Sequence, residues 1–356
     1  MSSRQSRPRK QILLNTPGET KFPAYLQAAH DLCFTNHDVL VHLLMRGEED
    51  GAFFQNFTFC DEADRKALAD ADDVFDWMER TRTPGERAEA LRRIIFPAVL
   101  SDFLHFVYEA LENSRKGKLT VSYALIRKPI QDALFVFELM AVDLEGFATK
   151  LSTDPAVLDS KGAGGIEAHT KRIAGVLKLI REDERFDPGY LARLRYDKET
   201  HDGFDRIANK AIHLFTGHKA IRTEPLNINF IFSGQEQMLS QWYYLYSRLP
   251  YLLFYARRLI EHLFATFEPR TDPAYLAHVE RRIEAATLLW ARDVDGDYQN
   301  PFIATFVERT QIRLLGELAA LGLASPLDPD LRRIRDTGQV HPPPREDDPS
   351  ALPSAE

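Results

Sequence analysis

The residue types best suited to chemistry lie together in the run RIANKAIH, from Arg206 to His213. At helical spacing Arg206, Asn209, Lys210 and His213 fall within about 100° of arc, one polar stripe. Phe204, Ile207, Ala208, Ala211, Ile212, Leu214 and Phe215 occupy the other side. The segment Asp202–Phe215 is therefore expected to be an amphipathic helix. A generic exposed face mixes Glu and Lys in i, i+4 pairs. This one offers a permanent cation, an amide, an ammonium and an imidazole. An imidazole can take a proton from a ribose 2′-hydroxyl or return one to a leaving oxygen. Arg and Lys can stabilise the charge of a pentacoordinate phosphorane. Asn can hold the imidazole or a phosphate oxygen in place. The set suits phosphodiester chemistry with no metal or other cofactor, with Arg206, Asn209 and His213 as the catalytic group. A polar surface face, or a ligand site without catalysis, uses the same residues.

Other groups could widen that site. His218, Lys219 and Arg222 follow in a loop with Thr223, Asn227 and Asn229. They and Lys210 would contact phosphates or base edges, unless the asparagines only cap turns. A second wall is offered by Arg127, Gln131 and Glu138, which share one face of the otherwise apolar stretch Leu119–Val142. Buried charges need partners, so Arg127 and Glu138 should each meet something polar. Asp132 is the other acid there.

The Arg206–His213 segment resembles the HEPN family, helical bundles common in bacterial toxin and abortive-infection systems. The family signature is an Arg followed four to six residues later by a His, with Asn often directly after the Arg. Here six residues separate Arg206 from His213, and Asn209 sits four before the His. Ala208 stands where the family's Arg would precede that Asn, so Arg206 or Lys210 must supply the cation. The resemblance implies a metal-independent ribonuclease of phage-defence or toxin type acting on RNA. It also implies a homodimer in which two motifs meet. Some relatives bind without cleaving, so a non-enzymatic protein- or RNA-binding helical module is the alternative.

These groups must be positioned by helices. Helical spacing covers Phe22–Arg46, stopping before Gly47, and Asp61–Arg80. Thr83-Pro84-Gly85-Glu86 reads as a capping box opening a long helix to about Lys116, ended by Gly117 and kinked or divided at Pro97. Further helices are expected at Leu119–Val142, Ile166–Glu184, after Asp187-Pro188-Gly189, at Gln235–Phe267 with a break near Pro250, and at Pro273–Arg292 and Pro301–Leu323. Ser152–Gly165 reads as a loop. Gly217–Ser233 is the least helical part, a short strand or extended loop. His30, Cys33 and His37 share a face with Leu26, Phe34 and Leu40, so they read as core residues rather than zinc ligands. Trp242, Tyr243, Tyr244 and Tyr246 read as core rather than a base-stacking platform.

The whole is expected to be an all-α multi-helix bundle with long kinked helices. A basic tail (1–20) and a Pro/Asp/Ser-rich tail (336–356) are expected to be disordered around a helical body (21–335). A boundary at Gly117 would divide that body into 21–117 and 118–335. With 23 Phe and 12 Tyr among 356 residues, the core needs no staples. Two cysteines exclude a disulfide scaffold and suit a reducing, cytoplasmic setting. No charge-free apolar run approaches the ~18 residues of a membrane helix. No Walker A, dinucleotide-binding or nucleophile-elbow motif occurs. The net charge of −8 excludes a basic coat, but charge is uneven. Residues 48–80 hold 11 acids and 3 bases, a surface for a protein partner, whereas 171–222 hold 12 bases and 8 acids.

Overall fold

The computed structural model describes residues 22–153, 159–213, 235–267 and 272–342. Every regular element among them is helical, as the periodicity predicts. After a 3₁₀ turn, α1 spans Gln27–Glu49. It runs through Gly47 instead of stopping there. The rings of Phe53 and Phe264 lie where a Cβ of Gly47 would be, so this glycine serves a close approach rather than a helix end. The single helix expected over 61–80 is two, α2 (Glu62–Ala69) and α3 (Val74–Thr81). Asp61 accepts from the Asp64 N–H, and Asp73 from those of Phe75 and Asp76. Asp is a poor interior residue and a strong N-cap, which explains the division.

Next comes α4 (Pro84–Arg115), opened by the expected Thr83–Glu86 capping box. Pro97 does not divide it. It closes with the Lys118 N–H on Asn113 O, the Gly117 N–H on Ser114 O, and Gly117 at φ +74°. Among the described helices, α4 alone is long and apolar enough to cross a bilayer. Here Phe96, Leu100, Phe103 and Val107 of that helix lie in the protein core. The stretch expected as one helix over 119–142 is α5 (Leu119–Lys128), a π-helical turn (Pro129–Ala133) and α6 (Leu134–Val142). Pro129 has no N–H to bond one turn back, and the wider turn absorbs that loss.

Then come α7 (Leu144–Thr153), which occupies the start of the expected loop, and α8 (Gly165–Leu179). Asp187 caps α9 (Pro188–Tyr196), and α10 spans Phe204–Ile212. The central helix α11 (Gln235–Phe264) is undivided at Pro250. α12 (Pro273–Asp293), α13 (Pro301–Ala320) and α14 (Asp328–Thr337) complete the body. Residues 336–342, expected to open a disordered tail, belong instead to the folded body. Asp336 is helical, Val340 packs with Leu331 and Ile334, and His341 Nε2 meets Leu321 O at 2.8 Å.

The core is organised around α11, which buries Trp242, Leu249, Leu252, Phe254, Leu259 and Ile260 against α1, α5 and α6. Each fully buried large apolar side chain contributes about 1.5–3 kcal/mol. Trp242 Nε1–H donates to Ser114 O at 2.8 Å, and His30 Nδ1 lies 2.8 Å from Tyr246 Oη. His30, Cys33 and His37 are core residues, as their spacing predicts. Tyr244 and Tyr246 are core residues too, while Tyr243 stacks half-buried between Tyr25 and Tyr298.

Candidate functional site

The candidate helix α10 is fixed by the residues before it. Asp202 Oδ2 accepts from Tyr190 Oη at 2.7 Å and Asn300 Nδ2 at 3.0 Å, and Oδ1 from Arg248 Nε at 2.8 Å. Its carbonyl accepts from Tyr244 Oη at 2.9 Å. One carboxylate thus ties the entry of α10 to α9, α11 and the start of α13. Gly203 follows as N-cap, and a Cβ there would collide with the Asp197 carbonyl and press on that of Thr200. Backbone atoms cannot swing aside, so the turn requires glycine.

Along α10 the expected stripe splits. Arg206 and Lys210 are partly exposed, one turn apart. Arg206 Nη1 donates to His201 Nδ1 at 2.7 Å, which leaves the neutral ring's proton on Nε2. Neither Arg206 nor Lys210 pairs with a carboxylate among the described residues. Half-burial, with Arg206 beside it, pulls Lys210 down to about 8. Asn209 is buried instead, its Nδ2 donating to Asp205 O at 2.6 Å within the helix. The helix also ends earlier than the expected Phe215. Ile212 is its last residue, and His213 is exposed on extended backbone (φ −109°, ψ 118°). The helical projection therefore does not apply to His213. His218, Lys219 and Arg222 lie outside the described residues, as does the expected strand or loop at 217–233.

The second wall does reach α10, through an acid. Buried Asp205 accepts on Oδ1 from Arg127 Nε at 3.2 Å and Gln131 Nε2 at 2.9 Å. Arg127 is thereby a clamp between α5 and α10. Glu138 does not share this site, because the π-helical turn inserts a register shift between it and Arg127. It is fully buried with Arg195, with Arg172 Nε at 2.9 Å and Tyr255 Oη at 2.8 Å. Burial alone would push its carboxyl up, but the two guanidiniums hold it below the usual range. The same surroundings press His169 down to about 4, through burial first and then Arg172 and Arg195. Asp132 accepts from Ser160 Oγ at 2.8 Å.

Two features escaped the sequence reading. His201 belongs beside Arg206, and only the turn before α10 brings it there. A buried array of Arg and Glu spans the α8–α9 turn, α11, α12 and α13. Its local signals were the i, i+4 pairs Arg257/Glu261 and Glu280/Glu284 on otherwise apolar helix faces. Among the described residues no group of His, Cys, Asp and Glu is arranged to hold a metal ion. No protein-family model, curated protein or solved structure matches the chain.

Proposed function

We propose that the end of α10 binds the phosphodiester backbone of RNA and that the protein is a metal-independent, HEPN-like endoribonuclease. The observation that carries this reading is the pair Arg206 and Lys210, one turn apart and paired with no carboxylate among the described residues. Burial and the neighbouring Arg206 disfavour the Lys210 ammonium, so an anion placed between the two cations would relieve it. His213 acts as general acid and base just past the helix end. His201 orients Arg206 and offers Nε2–H as a donor. Arg206 and Lys210 stabilise the phosphorane. Asn209 is a positioning residue, because its amide is committed inside the helix. Arg127 likewise acts through Asp205 rather than on RNA. The setting that fits this reading is a bacterial toxin or phage-defence system with the protein as a homodimer.

A second reading, RNA binding without cleavage, is favoured by one observation: His213 has left the helix that carries the cations. Incubating the protein with labelled total RNA and EDTA separates the two. Cleavage lost in a His213→Ala variant with unchanged circular dichroism is expected. Retention of RNA with no cleavage by either protein would leave the binding module.

A further inference from the structure

Four arginines and four glutamates meet between the α8–α9 turn, α11, α12 and α13. Arg185 Nε and Nη2 each reach Glu182 at 2.6 Å, and Nη1 reaches Glu284 at 2.9 Å. Arg257 Nη1 binds both Glu261 oxygens at 2.8 Å and Glu280 at 2.7 Å. Arg258 Nε donates to Glu182 at 2.6 Å, and Arg313 Nη2 to Glu280 at 2.7 Å. Such an array is a poor source of stability, since apolar residues of equal volume often do as well. It is also held at a backbone cost. Glu182 is delivered by a left-handed Arg181 (φ +58°), the one non-glycine residue with positive φ among those described. Strain of this kind collects where side chains must be held in place.

The array opens on a cleft of about 520 Å³, a usual size for a small-molecule site. Leu43, Ile180, Phe264 and Leu276 give it an apolar floor. Arg258 and Arg313 line it and are 28% and 43% exposed. Their inner edges are locked on buried carboxylates. Arg258 Nη2 and Arg313 Nη1 have no hydrogen-bond partner among the described residues. The Glu261 and Glu280 carboxylates of the lining are already occupied by Arg257. Within the array, burial and the neighbouring Glu280 push Glu284 upward, toward the uncharged form. His262, also in the lining, is pressed down by burial and by Arg258.

We propose that this cleft is a binding site, separate from α10, for a small organic anion. A carboxylate or phosphate head would sit on the free edges of Arg258 and Arg313, and an apolar body would lie on the Leu43–Phe264–Leu276 floor. Two pre-oriented guanidiniums favour such a head because no arginine rotamer freedom is lost on binding.

Calorimetric titration with phenyl phosphate and with benzoate tests this. Saturable one-to-one binding of either anion is expected, and the tighter of the two identifies the head group. Arg313→Gln should weaken it about tenfold or more. Leu276→Glu should do the same without touching the array, because it places a carboxylate at the mouth and suits the first turn of α12. Arg206→Gln should leave it unchanged, which separates this site from the one at α10. No saturable binding of either anion would overturn the proposal. So would unchanged affinity in both cleft variants, equal binding of benzyl alcohol, or inorganic phosphate binding as tightly as phenyl phosphate.

Discussion

Lys210 and Glu138 place charge in unfavourable surroundings with opposite results. Lys210 is half-buried beside another cation, so its ammonium is disfavoured in the folded state. Its folded value of about 8 lies below the ordinary 10.5. Below pH 8 the charge persists in both states and costs stability. Between 8 and 10.5 the unfolded chain binds the extra proton, so stability rises with pH. Lys210→Met should therefore be more stable than the parent at pH 7, with the gap narrowing from pH 8 and closing near 10.5. Denaturant melts across that range check it, and a constant gap would refute the burial argument. Glu138 is instead fully compensated by Arg195, Arg172 and Tyr255. Glu138→Gln leaves Arg195 buried without its counter-charge and should cost about 3–5 kcal/mol. The same melts measure it, and a loss under ~1 kcal/mol would mean that the pair is already neutral or hydrated. That Arg127 and Glu138 need partners was legible from their apolar surroundings. Which partners they take was not, since Asp205 and Arg195 lie on other helices.

Local chemistry was the most readable part of the elements. The Thr83–Glu86 box and the Gly117 stop each act within five residues, and each is present. Misreadings arose where tertiary packing overrode a local signal. Pro250 sits inside an undivided helix where a break was expected, and Gly47 serves ring packing. The early end of α10 removes His213 from the stripe that drew attention to it. Two substitutions probe the elements that place the sites. Gly203→Ala forces a Cβ onto the Asp197 carbonyl and should cost about 1–3 kcal/mol, with RNA binding weakened as α10 shifts. A neutral thermal melt would contradict this. Arg181→Gly should relieve a left-handed arginine and stabilise by about 1 kcal/mol. A destabilised variant would show that the Arg181 side chain outweighs its backbone.

At the scale of the molecule, the all-α class followed from periodicity, because a hydrophobic stripe is a property of each segment alone. The assembled sites depend on long-range contacts that no spacing encodes. Arg185 and Glu284 are 99 residues apart in sequence, and Tyr190, Arg248 and Asn300 converge on Asp202 from three helices. The basic excess of residues 171–222 likewise overstated the free cations, since Arg172, Arg185 and Arg195 are spent on buried glutamates. Arg206 and Lys210 are among the cations of this segment that pair with no carboxylate among the described residues, and the central claim is that they meet phosphate. The direct test is the salt dependence of single-stranded RNA affinity for the parent and for Arg206→Gln/Lys210→Gln. Each phosphate contact on a single strand contributes a slope of about −0.7 in log affinity against log salt. The double variant should bind more weakly, with a slope shallower by about 1.4. Equal slopes would mean that these cations do not touch RNA, and would contradict the assignment of α10 as a phosphodiester site.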